Sequence, residues 1–270
     1  MSLTGKTAFI TGASRGIGKA IALKFAEAGA HVVVTGKTVE PHPKLPGTIH
    51  SVAAEIVQRG GSAIAVQMDV RDEGQVQAAV DRAVDAFGRI DIVVNNASAI
   101  SLTGTDATTM KRFDLMYQVN VRGTFLCTQK CLPYLKRAGG AHVLNIAPPL
   151  NLVPRWFAPH VAYSISKYGM SLCVLGMAEE FRGDRIAVNA LWPRTMIDTA
   201  ALALVPGADR SRCRMPSIVA DAAYVIVTGD PAAITGRFFV DEDVLRGAGV
   251  TDFASYQADP AREPAPDIFL

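Results

Sequence analysis

Short apolar runs alternate with amphipathic stretches along almost the whole chain. The runs at residues 7–10, 31–35, 63–68, 90–94, 142–146, 185–191 and 238–240 are largely apolar and rich in Val, Ile and Ala. A strand with one wet face alternates apolar and polar residues, whereas a near-continuous run belongs to a strand covered on both faces. Between these runs, helical periodicity predicts helices near 16–28, 50–59, 73–87, 106–137, 160–182 and 217–229. Strand, helix, strand at this spacing implies right-handed crossovers. The expected fold class is therefore α/β, a doubly wound parallel seven-stranded sheet with helices on both faces. No composition shift divides the pattern, so one domain over residues 1–258 is expected. Residues 39–47 contain Pro41, Pro43 and Pro46 and predict a loop beside the second strand. Residues 259–270, with Pro260, Pro264 and Pro266, predict an extended Pro-rich C-terminal arm.

Composition narrows the function classes. The 270 residues carry 27 Lys+Arg against 25 Asp+Glu, a net charge of +2. That is far from the basic excess of a nucleic-acid or membrane-surface binder. No apolar run reaches the ~20 residues of a membrane span. The start, Met1-Ser2-Leu3-Thr4-Gly5-Lys6, lacks a signal peptide's apolar stretch, and the end is no Ser-Lys-Leu-type address. Cys127, Cys131, Cys173 and Cys213 are too few and too scattered for a disulfide framework. A cytoplasmic, globular protein without nucleic-acid partner, membrane span or metal site is expected. Cys127 and Cys131, at i and i+4, read as core packing.

Chemistry first shows at the end of the first strand, where Thr11-Gly12-Ala13-Ser14-Arg15-Gly16-Ile17-Gly18 leads into a helix. Such a turn points backbone N–H groups and a positive helix end at an anion, and glycines let a pyrophosphate approach closely. Asn95-Asn96-Ala97 follows the fourth strand, again at the sheet's carboxyl end. An acid after the second strand would bind a ribose 2′-OH, whereas a base would pair with a 2′-phosphate. Thr35-Gly36-Lys37 supplies no acid. Arg15 in the loop and Lys37 about 20 residues further on therefore favour NADP(H) over NAD(H). Tyr163 and Lys167, at i and i+4, share a helix face. An ammonium beside a phenol favours the phenolate and makes the tyrosine a usable acid/base.

Taken together, the glycine loop, Asp69, Asn95-Asn96-Ala97, Asn120 and Tyr163-Ser164-Ile165-Ser166-Lys167 occur in the order of the short-chain dehydrogenase/reductases, and the sequence resembles that family over essentially its whole length. Within it, the chain is most similar to the hydroxysteroid-dehydrogenase-like proteins, whose longer members carry a sterol-carrier domain that 270 residues leave no room for. The residues carrying this are Pro41-His42-Pro43-Lys44-Leu45, Asn145-Ile146-Ala147-Pro148-Pro149-Leu150-Asn151-Leu152, Lys167-Tyr168-Gly169-Met170-Ser171 and Gly176-Met177-Ala178-Glu179-Glu180-Phe181. The resemblance implies a Rossmann fold and hydride transfer between nicotinamide and an alcohol/carbonyl pair. It implies Tyr163 as general acid/base and Lys167 as the residue that binds the nicotinamide ribose and lowers the Tyr pKa. Asn120 would hold a proton-relay water. Gly12, Ser14, Arg15, Gly16, Ile17, Gly18, Lys37, Asp69, Val70, Asn96, Ala97, Pro193 and Thr195 would join Tyr163 and Lys167 in holding the cofactor. It also implies a homodimer or homotetramer built on the helices near 106–137 and 160–182.

The sequence departs from the pattern at the catalytic serine, usually found about 13 residues before the tyrosine. Counting back lands on Leu150, and aligning on Asn145-Ile146 lands on Ala147 and Pro148. Prolines 148 and 149 lack N–H groups, so the backbone cannot substitute as donor. Asn151 is the favoured replacement, with Ser98 the other candidate. The alternative is an NADP(H)-binding protein with weak or no dehydrogenase activity; a methyltransferase fits poorly, since Tyr163 and Lys167 would have no role.

After the sixth strand stands Pro193-Arg194-Thr195, with Thr199 a second candidate for the family's threonine. Arg194 could meet an anionic substrate such as an acyl-CoA, or the cofactor pyrophosphate. Residues 194–215 predict a substrate flap made apolar by Met196, Ile197, Ala200, Ala201, Leu202, Leu204 and Val205, with Trp156, Phe157 and Trp192 as aromatic wall. This suits an apolar or lipid-like carbonyl or alcohol. His160 reads as wall or helix cap, and the end Asp267-Ile268-Phe269-Leu270 as a segment that packs on a neighbouring subunit.

Overall fold

The computed structural model describes residues 2–43, 45–205 and 207–270; Met1, Lys44, Pro206 and the side chain of Leu204 lie outside the described residues. Seven strands are present: β1 (Thr7–Ile10), β2 (His31–Gly36), β3 (Ser62–Gln67), β4 (Ile92–Asn95), β5 (Ala141–Ile146), β6 (Ile186–Trp192) and β7 (Phe238–Val240). All pair in parallel, in the order β3-β2-β1-β4-β5-β6-β7. This is the doubly wound Rossmann sheet that the continuous apolar runs predict. The strand order reverses beside β1, where the connections to β2 and β4 leave in opposite directions and open a crevice at the carboxyl ends.

The helices are α1 (Gly16–Glu27), α2 (Ile49–Gln58), α3 (Glu73–Phe87), α4 (Met110–Met116), α5 (Gly123–Arg137), α6 (Val161–Glu180), α7 (Ser217–Val227) and α8 (Asp241–Gly247). Alternate strand residues feed two cores. Ala8, Ile10, Val32 and Val34 pack with Ile21, Phe25, Val52 and Ile226 of α1, α2 and α7. Phe9, Val33 and Val93 pack with Val80, Leu126 and Val174 of α3, α5 and α6. Cys127 and Cys131 are fully buried in that second core, where desolvation pushes the Cys127 thiol up to about 12.

Three differences from the predicted elements bear on the site. Of the predicted stretch 106–137, only residues 110–137 are helical, as one rod in three parts, because the backbone between α4 and α5, Tyr117–Arg122, winds as a π-helix. The helix α8 was not predicted, since seven residues beginning Asp241-Glu242-Asp243 show too short an apolar period. The Pro-rich arm is extended as expected but not free. It runs antiparallel to the segment after β6, with Thr195 opposite Pro266.

Candidate active site

The glycine loop between β1 and α1 is shaped by contacts from β4. Asn96 Nδ2 donates to the carbonyls of Thr11 and Gly12 at 2.9 and 3.0 Å. Thr11 Oγ1 accepts the backbone N–H groups of Asn96 and Ala97, both at 3.0 Å, and donates to the Val94 carbonyl. Gly12 has φ +65, and a Cβ there would stand 2.8 Å from Ala97 Cα; a Cβ on Gly18 would stand 2.4 Å from Asn96 Nδ2. The packing of loop on loop thus requires glycine at both positions. Helix α1 starts at Gly16 with no side-chain cap, which leaves its first N–H groups directed at the crevice. Thr199 closes from the flap side, its Cγ2 lying against Gly16.

The ribose corner is more crowded than the sequence suggests. Arg15 Nε and Nη2 donate to the carbonyls of Pro46 and Gly47 at 3.0 and 3.1 Å, tying the proline loop to the glycine loop. Lys37, 61% exposed, lies 3.7 Å from the Asp69 carboxylate. Asp69 also takes a bidentate contact from Arg71, and that hydrogen bonding holds its carboxyl below the usual range. The parallel pairing of β2 with β3 brings Asp69 to Lys37; sequence spacing alone does not reveal it. Arg71, which its sequence position does not mark, joins Lys37 on that one carboxylate. Val70 is buried beside Gly123 at the start of α5.

Helix α6 presents the central pair. Tyr163 and Lys167 are 5% and 2% exposed on the same face. Lys167 Nζ donates to the Ile146 carbonyl at 2.6 Å and lies 5.1 Å from the centre of the Trp192 ring. Burial pulls the Lys167 ammonium down and pushes the Asp267 carboxyl up, each partly offset by the other's charge. Tyr163 does not show the lowered pKa expected from Lys167. Burial, then the Asp267 charge, drive it up, and the ammonium is turned toward the Ile146 carbonyl.

The π-helical turn places Asn120 inward. Its Nδ2 donates to the Ala99 carbonyl at 3.0 Å and to Ser166 Oγ at 2.9 Å, and its Oδ1 accepts the Ala99 N–H at 2.8 Å. Ser166 Oγ donates in turn to the Tyr163 carbonyl at 2.8 Å. The close approach of α6 to this turn depends on Gly169, where a Cβ would stand 2.6 Å from Val121 Cγ2. Asn120, Ser166 and Tyr163 are therefore one hydrogen-bonded unit.

Several assignments change. Asn151 caps its own turn, its Oδ1 accepting from Val153 N–H at 3.3 Å and its carbonyl from the Tyr168 hydroxyl at 2.6 Å. Among the described residues no hydrogen bond joins Asn151 to Tyr163, and Ser98 is exposed. Arg194 is engaged within the chain: its Nη2 pairs with Asp243 at 2.5 Å and its backbone N–H donates to Asp241 Oδ1 at 2.9 Å. The reason is α8, which sequence periodicity did not reveal. Part of the flap belongs to the protein interior, since Ile197 packs in the first core. The terminal segment folds back on its own subunit, where Phe269 joins Tyr163, Tyr168, Trp192 and Met116 in a third apolar cluster. His160 lines the same wall; Ser164 Oγ donates to the Trp156 carbonyl, so the ring bonds Ser164 through a protonated Nδ1. Burial lowers the His160 pKa, which keeps that ring neutral.

A dinucleotide fits these residues on two structural grounds. Gly12 and Gly18 leave a cradle that any side chain would fill. Thr195 Oγ1, two residues after Pro193 at the carboxyl end of β6, is buried without a hydrogen-bond partner among the described residues.

Comparison with known proteins agrees. The family model for short chain dehydrogenase matches residues 6–206. Hydroxysteroid dehydrogenase-like protein 2 of Danio rerio is 57% identical over 269 residues, 99% of this chain. The chain spans only 64% of that relative's length. A crystal structure of a provisionally named dehydrogenase from Xanthomonas campestris superposes with a TM-score of 0.98 at 53% identity, covering 100% of this chain and 99% of that one. A 7α-hydroxysteroid dehydrogenase solved with NADH and 7-oxo glycochenodeoxycholic acid superposes at 0.77 with 31% identity, covering 88% and 93%. The crevice, the braced glycine loop and the buried Tyr163–Lys167 pair are thus those of the group its sequence matches, and the chain belongs to the short-chain dehydrogenase family.

Proposed function

We propose that the protein is an NADP(H)-dependent oxidoreductase that interconverts an apolar carbonyl and its alcohol, with Tyr163 as the general acid/base. The observation that carries this reading is the burial of Tyr163 and Lys167 on one face of α6, with Asn120 tied through Ser166 to the Tyr163 backbone carbonyl. The bound dinucleotide supplies the hydride. Tyr163 gives its hydroxyl proton to the carbonyl oxygen in reduction and takes it back in oxidation. Lys167, whose Nζ meets the Ile146 carbonyl in the structure, would turn to the dinucleotide and the forming phenolate when the cofactor binds, and Asn120 fixes α6 at the height of the crevice.

Two cations on the single carboxylate of Asp69, Lys37 and Arg71, with Arg15 in the glycine loop, support NADP(H) over NAD(H). The related hydroxysteroid dehydrogenase holds NADH, so this preference is a property of the corner and not of the family. The absent serine supports a second reading, an NADP(H)-binding protein with weak turnover. Loss of one such donor costs about 10²–10³ in rate. Exposed apolar residues on the outer faces of α5 and α6, Phe125, Ile165, Leu172 and Leu175, support a homodimer or homotetramer formed there. Four unpaired cysteines suit a reducing, cytoplasmic setting.

Fluorescence titration with NADPH and NADH, followed by turnover of an aldehyde panel by the parent and Tyr163→Phe, tests the reading. NADPH should bind more tightly and Tyr163→Phe should abolish turnover. Equal affinities would remove the cofactor preference, and an active Tyr163→Phe would remove Tyr163 as the acid.

A further inference from the structure

The segment Ala265–Leu270 is built into the site. Met196 N–H donates to the Ala265 carbonyl at 2.9 Å, Asp267 N–H to the Arg194 carbonyl at 3.0 Å, and Trp192 Nε1 to the Ile268 carbonyl at 2.9 Å. These bonds deliver Phe269 to a position with no solvent exposure. Its backbone has φ +76, a conformation that strains a residue bearing a Cβ and persists only where packing holds it. What holds it is a cage of five rings. The Phe269 ring is near-parallel to that of Tyr163, with centroids 6.3 Å apart and planes 24° apart. Tyr168, Trp192 and His160 stand at 5.3, 5.9 and 5.9 Å, and Trp156 at 6.4 Å.

We propose that Phe269 is a specificity-determining residue, whose ring fills the space beside Tyr163 that a ring-bearing substrate would need, so that the site takes unbranched apolar carbonyls end-on and rejects cyclic ones. This rests on the oxidoreductase reading above. A planar or fused-ring substrate that packed against the tyrosine ring with its carbonyl at the hydroxyl would need the space that Phe269 fills. A straight aliphatic chain would need less of it. Removing the phenyl ring opens a pocket of about the size of a cyclohexyl group, lined by the same aromatic rings.

The test compares the parent with Phe269→Ala, Phe269→Leu and Phe269→Trp, using NADPH with hexanal and cyclohexanecarboxaldehyde. The ratio of kcat/KM for the cyclic over the linear aldehyde should rise at least roughly tenfold in Phe269→Ala. It should rise less in Phe269→Leu, and fall in Phe269→Trp. A structural role alone would slow both aldehydes together; a ratio that stays within twofold, or moves the same way in Ala and Trp, overturns the proposal.

A binding arm is independent of turnover. The chain has two tryptophans, Trp156 and Trp192, and both face Phe269. Titration of the NADPH-saturated protein with cyclohexanol, read by tryptophan fluorescence, should give at least tenfold tighter binding in Phe269→Ala than in the parent. Equal binding overturns the proposal. If the parent turns over neither aldehyde while cyclohexanol still separates the variants, the oxidoreductase reading fails and the assignment of Phe269 stands.

Discussion

Thr11→Val is the most direct probe of how the glycine loop is held. The two side chains have nearly the same shape, so the change removes an oxygen and little else. Thr11 is 1% exposed, and its Oγ1 accepts N–H groups from Asn96 and Ala97 at 3.0 Å each. The Asn96 amide keeps a longer bond to the Val94 carbonyl at 3.2 Å, and that carbonyl keeps the Thr11 N–H at 3.0 Å. The cost therefore falls mainly on the Ala97 amide, which is left without an acceptor. An unsatisfied buried donor costs about 1–3 kcal/mol, so the expected loss is about 2 kcal/mol. At this chain length that lowers the melting temperature by about 4–8 °C. Calorimetry at fixed protein concentration measures it, with NADPH titration alongside. Thr11→Ser keeps the oxygen and loses a methyl, and it should cost only about 1 kcal/mol. If Thr11→Val melts with the parent, or Thr11→Ser falls as far as Thr11→Val, the bracing role assigned to the hydroxyl is wrong.

Gly18→Ala places a methyl 2.4 Å from Asn96 Nδ2 and 2.6 Å from the Gly12 carbonyl. Overpacking of about 1–3 kcal/mol should weaken NADPH by roughly 5- to 150-fold in a fluorescence titration; a change under twofold would show that the loop yields. Asn120→Ala removes three hydrogen bonds that join the π-helical turn to Ala99 and Ser166, and should cost about 2–4 kcal/mol in a urea titration. A loss below about 0.5 kcal/mol would mean that α6 is fixed by packing alone. His142, buried and donating to the Gly229 backbone, has its pKa pulled by desolvation from 6.5 to about 4. The unfolded chain takes up a proton that the folded one refuses, so stability is full above pH 6.5 and falls as pH drops toward 4. The loss is at most about 3 kcal/mol. In His142→Gln, melting temperature against pH from 7 to 4.5 should be flatter; an unchanged slope would assign the acid sensitivity elsewhere.

The strands were legible because residues such as Val32–Val34 and Val93–Val94 are covered on both faces, and that leaves an unbroken apolar signature. The phosphate loop was legible because Gly12 and Gly16, at φ +65 and +56, answer to a local backbone requirement. Features decided by tertiary contact were not. Nothing local marks Phe269 as a partner of Tyr163, since that pairing depends on hydrogen bonds between the chain's last residues and those after β6. Arg194 reads as a free cation until α8 brings Asp243 to it. Lys37 reads as unopposed until β3 pairs with β2 and sets Asp69 alongside. Asn151 carries the right donors for a missing hydroxyl, and its Oδ1 also forms a turn with the Val153 N–H, a second role that its sequence position does not reveal.

The π-helical turn at Tyr117–Arg122 amounts to a phase slip in one continuous rod. A period of 3.6 residues run through residues 110–137 would keep a single face inward throughout. The wider turn rotates the two halves relative to each other, so that Met116 ahead of it faces the aromatic cluster around Tyr163 while Leu126, Cys127 and Cys131 behind it face the sheet. A single stiff element is thereby embedded in two separate interiors, with Asn120 at the joint. Repacking on the sheet side is transmitted along the rod as a rotation at Asn120. Substitutions at Cys127 or Leu126, remote from any bound ligand, should therefore register at Tyr163 before they register in the overall fold.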